Sequence, residues 1–140
     1  MAQVIVAFAV TAMCELLAGG TAANAGAGEL TAAVHLADNI HEIAVGLPFF
    51  DGGDAVVGAW HDVWDLDGLK FSPPIDVDRT PIPADENWTQ EVSVTAVDEK
   101  KIGAPVERHS STPMARLQVK IYHDGRYICC GDWLIVAPAR

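Results

Sequence analysis

Basic residues are scarce over most of this sequence. Residues 1–97 set 14 acids against Lys70 and Arg79 alone, a local net charge of −12 within a total of −10 for 140 residues. Such a chain is repelled by phosphate, which argues against nucleic acid as a partner. It also lacks the basic cluster that would hold an anionic membrane surface. Residues 98–140 differ: seven bases (Lys100, Lys101, Arg108, Arg116, Lys120, Arg126, Arg140) against five acids leave that tail net +2. Unlike patches on neighbouring copies could use this asymmetry for contact.

Cysteine is also sparse. Cys14, Cys129 and Cys130 are too few and odd in number for a disulfide framework. Neighbouring residues of a strand point to opposite faces, so Cys129 and Cys130 are not expected to bridge each other. They read as free thiols, with thiol pairing between copies as the sharper alternative. No Lys or Arg precedes the apolar run Val4–Val10 and Glu15 interrupts it, so secretion is not expected. The charge-free run Met1–Cys14 falls short of the roughly 20 residues of a membrane span, and no membrane partner is expected.

Catalytic signatures are missing as well. Arg108-His109-Ser110-Ser111 holds a base and hydroxyls without the strained Gly-x-Ser-x-Gly turn. Gly19-Gly20 and Gly26-x-Gly28 lack the Lys-Ser/Thr of a phosphate loop. The expectation is a non-enzymatic protein with no cofactor.

What is present is 50% hydrophobic sequence, sized for one domain over 1–140. Its clearest signal is a C-terminal hairpin: apolar runs Ala115–Tyr122 and Tyr127–Val136 flank His123-Asp124-Gly125-Arg126, and Asp-Gly suits a tight two-residue turn. Counting back from that turn places Asp132 opposite core Leu117. A bulge or strand end at Gly131 would cure the conflict by opposing Leu117 with Trp133 and Gln118 with Asp132. Trp88–Val97 alternates Val92, Val94 and Ala96 against Glu91, Ser93 and Thr95, a half-exposed strand. Gln3–Met13 reads as a strand buried on both faces, Ala55–Trp64 as another strand, and Leu17–Gly28 as an Ala/Gly-rich loop or arm.

Residues 29–47 carry two readings. A helix sets His35, Asp38, Asn39 and Glu42 on one stripe and Leu36, Ile40, Ile43 and Leu47 on the other, stopped by Gly46 and Pro48. A hairpin would turn at Asp38-Asn39. Four prolines at 73, 74, 81 and 83 make residues 71–85 an extended crossover, and residues 98–113 form a long polar loop. The fold class expected is mainly β, an antiparallel sandwich or partly closed barrel, with one helix at 29–45 on the first reading.

Candidate sites are few. Trp60–Gly68 places His61, Asp62, Asp65 and Asp67 close together, weak metal candidates because the spacing fits no calcium loop and a strand would scatter the ligands. His35, Asp38 and Glu42 on one stripe have the composition of a solvated face. Arg116, Lys120, Tyr122, Arg126 and Tyr127 on the hairpin, with Trp60 and Trp64, are the candidate interface. The function expected is a structural or assembly protein, self-associating or joined to a larger protein assembly such as a viral particle. A small-ligand or carbohydrate-binding β module is the alternative, and an enzyme built on His61, Asp62 and Asp65 the second. The compartment is not set by the sequence, a virion being one candidate.

Overall fold

The computed structural model describes residues 2–50, 60–106 and 112–138. They form one long helix, α1 (Ala2–Gly46), and an antiparallel sheet of β1 (Lys70–Phe71), β2 (Trp88–Asp98), β3 (Lys101–Pro105), β4 (Met114–His123) and β5 (Arg126–Val136). The main sheet runs in the order β1-β2-β4-β5, and β3 pairs with β2. This is a β-rich fold with one helix, and the described sheet is open rather than closed into a barrel. The chain divides into two compact units, Met1–Ala32 and Ala33–Arg140.

The first unit is helical from Ala2 onward. The strand expected at Gln3–Met13 and the loop expected at Leu17–Gly28 are therefore both corrected to helix. A short, wholly apolar run has no periodicity that separates strand from buried helix, and alanine, the strongest helix former, dominates the residues after it. Glycines at 19, 20, 26 and 28 each cost about 1 kcal/mol relative to alanine, but none is in a conformation that breaks the ladder. Thr21 and Thr31 donate their hydroxyls to carbonyls of the preceding turn, Thr21 to Leu17 and Ala18 and Thr31 to Ala27.

In the second unit the helix reading of 29–47 holds. Ala33, Leu36, Ala37, Ile40, Ile43 and Ala44 recur at helical spacing and are buried. They meet the inner face of the sheet, where Val92, Val94 and Ala96 of β2 alternate with the half-buried Glu91, Ser93 and Thr95 and Ala115, Leu117, Val119 and Ile121 of β4 are fully buried. A helix layer on a sheet layer is enough to close a core.

The hairpin forms as its sequence dictates. Asp124 (φ 51°) and Gly125 (φ 74°) take the left-handed conformations of a two-residue turn, with His123 opposite Arg126. Leu117 faces Trp133 and Gln118 faces Asp132, the pairings the buried face demands. The bulge that delivers them lies at Ile128, opposite the Ile121–Tyr122 step, and not at Gly131, through which β5 runs unbroken. Gly131 instead makes room for an indole, since a Cβ built there would overlap the edge of the six-membered ring of Trp133.

The proline crossover is more ordered than an extended arm. Ile75 and Pro81 form a β-bridge, Ile82 donates to the Pro74 carbonyl, and Asp76 caps the intervening turn by accepting from the amides of Asp78 and Thr80. Residues 98–113 likewise include β3, so the long loop is shortened; its Arg108-His109-Ser110-Ser111 lies outside the described residues.

Candidate functional site

The densest group of titratable residues, Trp60–Gly68, folds as a short 3₁₀ turn over Val63–Leu66. Of the strand expected at Ala55–Trp64, residues 55–59 lie outside the described residues and Trp60–Trp64 is not strand. Asp62 is the N-cap: its Oδ1 accepts from the amides of Trp64 (2.9 Å) and Asp65 (3.3 Å), and Asp65 reaches back to accept from the amides of His61 (2.8 Å) and Asp62 (3.4 Å). That reciprocal arrangement is a capping box with aspartate in both places. Asp67 accepts the Val94 amide at 2.8 Å, pinning the turn to β2. All three carboxylates thus serve backbone amides of the fold, and the described residues contain no cluster of three His, Cys, Asp or Glu side chains able to hold a metal ion.

The tryptophans distribute between core and margin. Trp64, a candidate for the interface, is 8% exposed and meets Phe49 edge-on, so it belongs to the core. Trp88 is buried and stacks on His123 with ring centroids 4.2 Å apart. Trp60 is half-buried, edge-on to Phe71, with the Arg79 guanidinium 4.9 Å above its ring. Trp133 is half-buried and stacks on His41 of α1 at 4.6 Å. A free aromatic platform for a sugar ring is not offered by Trp64 or Trp88.

The outer face of the sheet holds the hairpin candidates, with Arg116 in an ion pair. Arg116 meets Asp132 at 2.9 Å through Nε and again through Nη2, and Gln118 donates to the same carboxylate. Lys70 meets Glu91 at 2.8 Å. Lys120 lies in register with Glu91 on one side and Cys130 on the other, and Tyr122 and Tyr127 meet edge-on. Arg126 sits at the turn, exposed. Of the tail's bases on this face, Arg116 is thus neutralised by Asp132.

The Arg116 guanidinium holds the Asp132 carboxyl below the usual aspartate range, and the Lys70 ammonium does the same for Glu91. Carboxyls lowered on folding contribute stability above their unfolded values, near pH 4, and lose it as pH falls through the folded values. Acid unfolding should therefore begin below about pH 4, and Asp132→Asn should flatten that limb of the stability–pH curve. Chemical denaturation measured between neutral pH and pH 2 checks this; an unchanged slope in the variant would remove the pair from the account.

His35, Asp38 and Glu42 lie exposed along the helix, as a solvated stripe does, while Asn39 turns partly inward to donate to the Ile75 carbonyl at 3.4 Å. Two polar residues with structural roles escaped the sequence pattern. His41 supplies the stack on Trp133, and Gln90 lies wholly buried on the inner face of β2. Gln90 is on the apolar parity of its strand, a signal that could have marked it. Near the C-terminal end of α1 a groove of about 390 Å³ is lined by His41, Val45, Phe49, Leu134, Val136 and neighbouring residues.

No family model, curated protein or solved structure matches this chain. Function is therefore argued from surface chemistry. Among the described residues, no helix is long and apolar enough to cross a membrane.

Proposed function

We propose that this chain is a non-catalytic subunit of a larger protein assembly, with the N-terminal part of α1 as its assembly element. The observation that carries the reading is the surface of residues 13–28. Every side chain there is exposed, including Met13 (66%), Leu16 (76%) and Leu17 (69%), and Glu15 is the only charge among the first 28 residues. A surface helix normally has one apolar stripe and one charged face; a helix apolar on all sides belongs in the interior of something. An isolated helix draws little stability from its own hydrogen bonds, so this one needs packing partners. Alanine and glycine on its surface would let a neighbouring helix approach closely. The Arg116–Asp132 and Lys70–Glu91 pairs of the sheet's outer face add to the reading, since a neighbour can cover each pair without burying an isolated charge there.

Full-length chain with Met13, Leu16 and Leu17 changed together to lysine tests it. The expected result is a fall from a large species to a monomer in light scattering, with the thermal transition of the sheet unit unchanged. A species of unaltered size, or a parent chain that stays monomeric and binds only to lipid vesicles, would overturn the reading.

A further inference from the structure

We infer that β5 pairs antiparallel with β5 of a second copy about a two-fold axis at Gly131, so that two four-stranded sheets continue into one. This interface is separate from the helical one proposed above and does not depend on it.

β5 closes the sheet order, and among the described residues it has no partner other than β4. Not one of its 11 side chains is buried, although the inner-face residues of neighbouring β4 are at 0%. The large exposed apolar residues of the main sheet all fall on this strand: Tyr127 (53%), Leu134 (43%) and Val136 (59%). Proteins ordinarily protect such an edge with lysine, proline or a bulge in mid-strand. From Cys129 to Val136 β5 has none of these, its bulge lying at Ile128 and its one charge, Asp132, being held by Arg116. An edge of solvated amides and carbonyls is a template along its length for another extended backbone.

Side-chain complementarity selects a second copy and the register. In an antiparallel pair about a two-fold axis, residues whose numbers sum to a constant lie opposite and share a face. An axis at Asp132 would oppose two like carboxylates, and one at Trp133 would set Asp132 against Leu134. An axis at Gly131 opposes Asp132 to Cys130 of the second copy, and bulky Trp133 to small Cys129. Lys120 is the register neighbour of Cys130 on β4. In the joined sheet it lies two strand spacings, about 9.5 Å, from Asp132 of the second copy, within reach of a lysine across an intervening cysteine. Each carboxylate would then sit between Arg116 of its own chain and Lys120 of the other, a charge match that occurs twice by symmetry. The two glycines meet at the axis, where each leaves room for the adjoining indole.

The test uses full-length chain with Cys14 and Cys129 changed to serine and Asp132→Cys introduced. Under mild oxidation this chain should form a covalent dimer through Cys130 of one copy and residue 132 of the other. A parallel chain with Leu134→Cys in place of Asp132→Cys should give about tenfold less, because the register leaves those sulfurs too far apart. As a measurement free of substitutions, zero-length carbodiimide coupling of mixed isotopically light and heavy native chain should give a light–heavy Lys120–Asp132 cross-link. No dimer and no mixed cross-link, or a link at residue 134 in preference to 132, overturns the inference, including the case in which the edge serves a strand of another protein. Failure of the helical reading would show instead as a particle size insensitive to the three lysines, with these cross-links intact.

Discussion

Gln90→Ala is expected to destabilise the fold by about 3–4 kcal/mol, more than any surface substitution in this chain. Gln90 is fully buried on β2 and uses its whole amide: Oε1 accepts the Ile75 amide at 2.8 Å, while Nε2 donates to the carbonyls of Leu36 (2.8 Å) and Ile75 (3.1 Å). One side chain thus ties α1, the proline crossover and β2. Truncation strands the Ile75 amide without a partner, at about 1–3 kcal/mol, and the cavity left behind adds to that. Gln90→Leu should fare little better, since it restores volume but no hydrogen bond. Gln90→Glu gives the pH signature. Its carboxyl would face two carbonyls in a buried site and stay protonated in the folded chain, so its value is raised on folding. Stability would then be full below the unfolded glutamate value, about pH 4, and fall as pH rises above it. Urea titrations at pH 4 and pH 7 check the pattern; a Gln90→Glu chain as stable at pH 7 as at pH 4 would mean that the site is not dry.

Gly131→Ala should cost about 2–4 kcal/mol. Elsewhere in a strand, giving glycine a methyl group reduces the freedom of the unfolded chain and gains up to about 1 kcal/mol. Here the sign reverses, because the methyl carbon would occupy the space of the Trp133 ring. The indole must rotate away, losing its stack on His41 and part of its burial. The expected reading is a lower melting temperature with altered near-ultraviolet dichroism from Trp133. A variant at least as stable as the parent would show that the indole has another resting place. Since Gly131 is also the axis inferred for β5 pairing, the Cys130–132 cross-link should weaken in the same variant.

How much of this was legible depended on the range of the forces involved. The hairpin was readable because its turn, Asp124-Gly125, and its alternation act locally, and even the need for a bulge followed from the clash of Asp132 with Leu117. The position of the bulge was not, because glycine invites two explanations: Gly131 marks the place where an indole crosses the strand, not an irregular backbone. The first half of α1 was misread because Val and Phe in an uninterrupted apolar run suit strand and helix alike. The deciding feature was negative, the lack of any proline before Pro48. In the 60–68 segment the acids looked like ligands. Asp62, Asp65 and Asp67 proved to be caps, which a metal-site template cannot distinguish when both uses favour short carboxylates near a turn. The parity of Gln90 on its strand marks it as inward-facing, but its partner Leu36 lies 54 positions away in sequence, and the partner of His41, Trp133, lies 92 away, so neither pairing was legible.

Helix α1 is continuous in hydrogen bonding yet crosses from one compact unit to the other at Ala33. Amides of residues 33–46 are backed by a packed core, so they open to solvent exchange only when the sheet unit comes apart. Those of residues 13–28 can open by local fraying in an unassembled chain, exchanging deuterium orders of magnitude sooner. One helix would therefore report two clocks. Slowing of the faster one to match the slower would time the moment at which the N-terminal segment acquires neighbours.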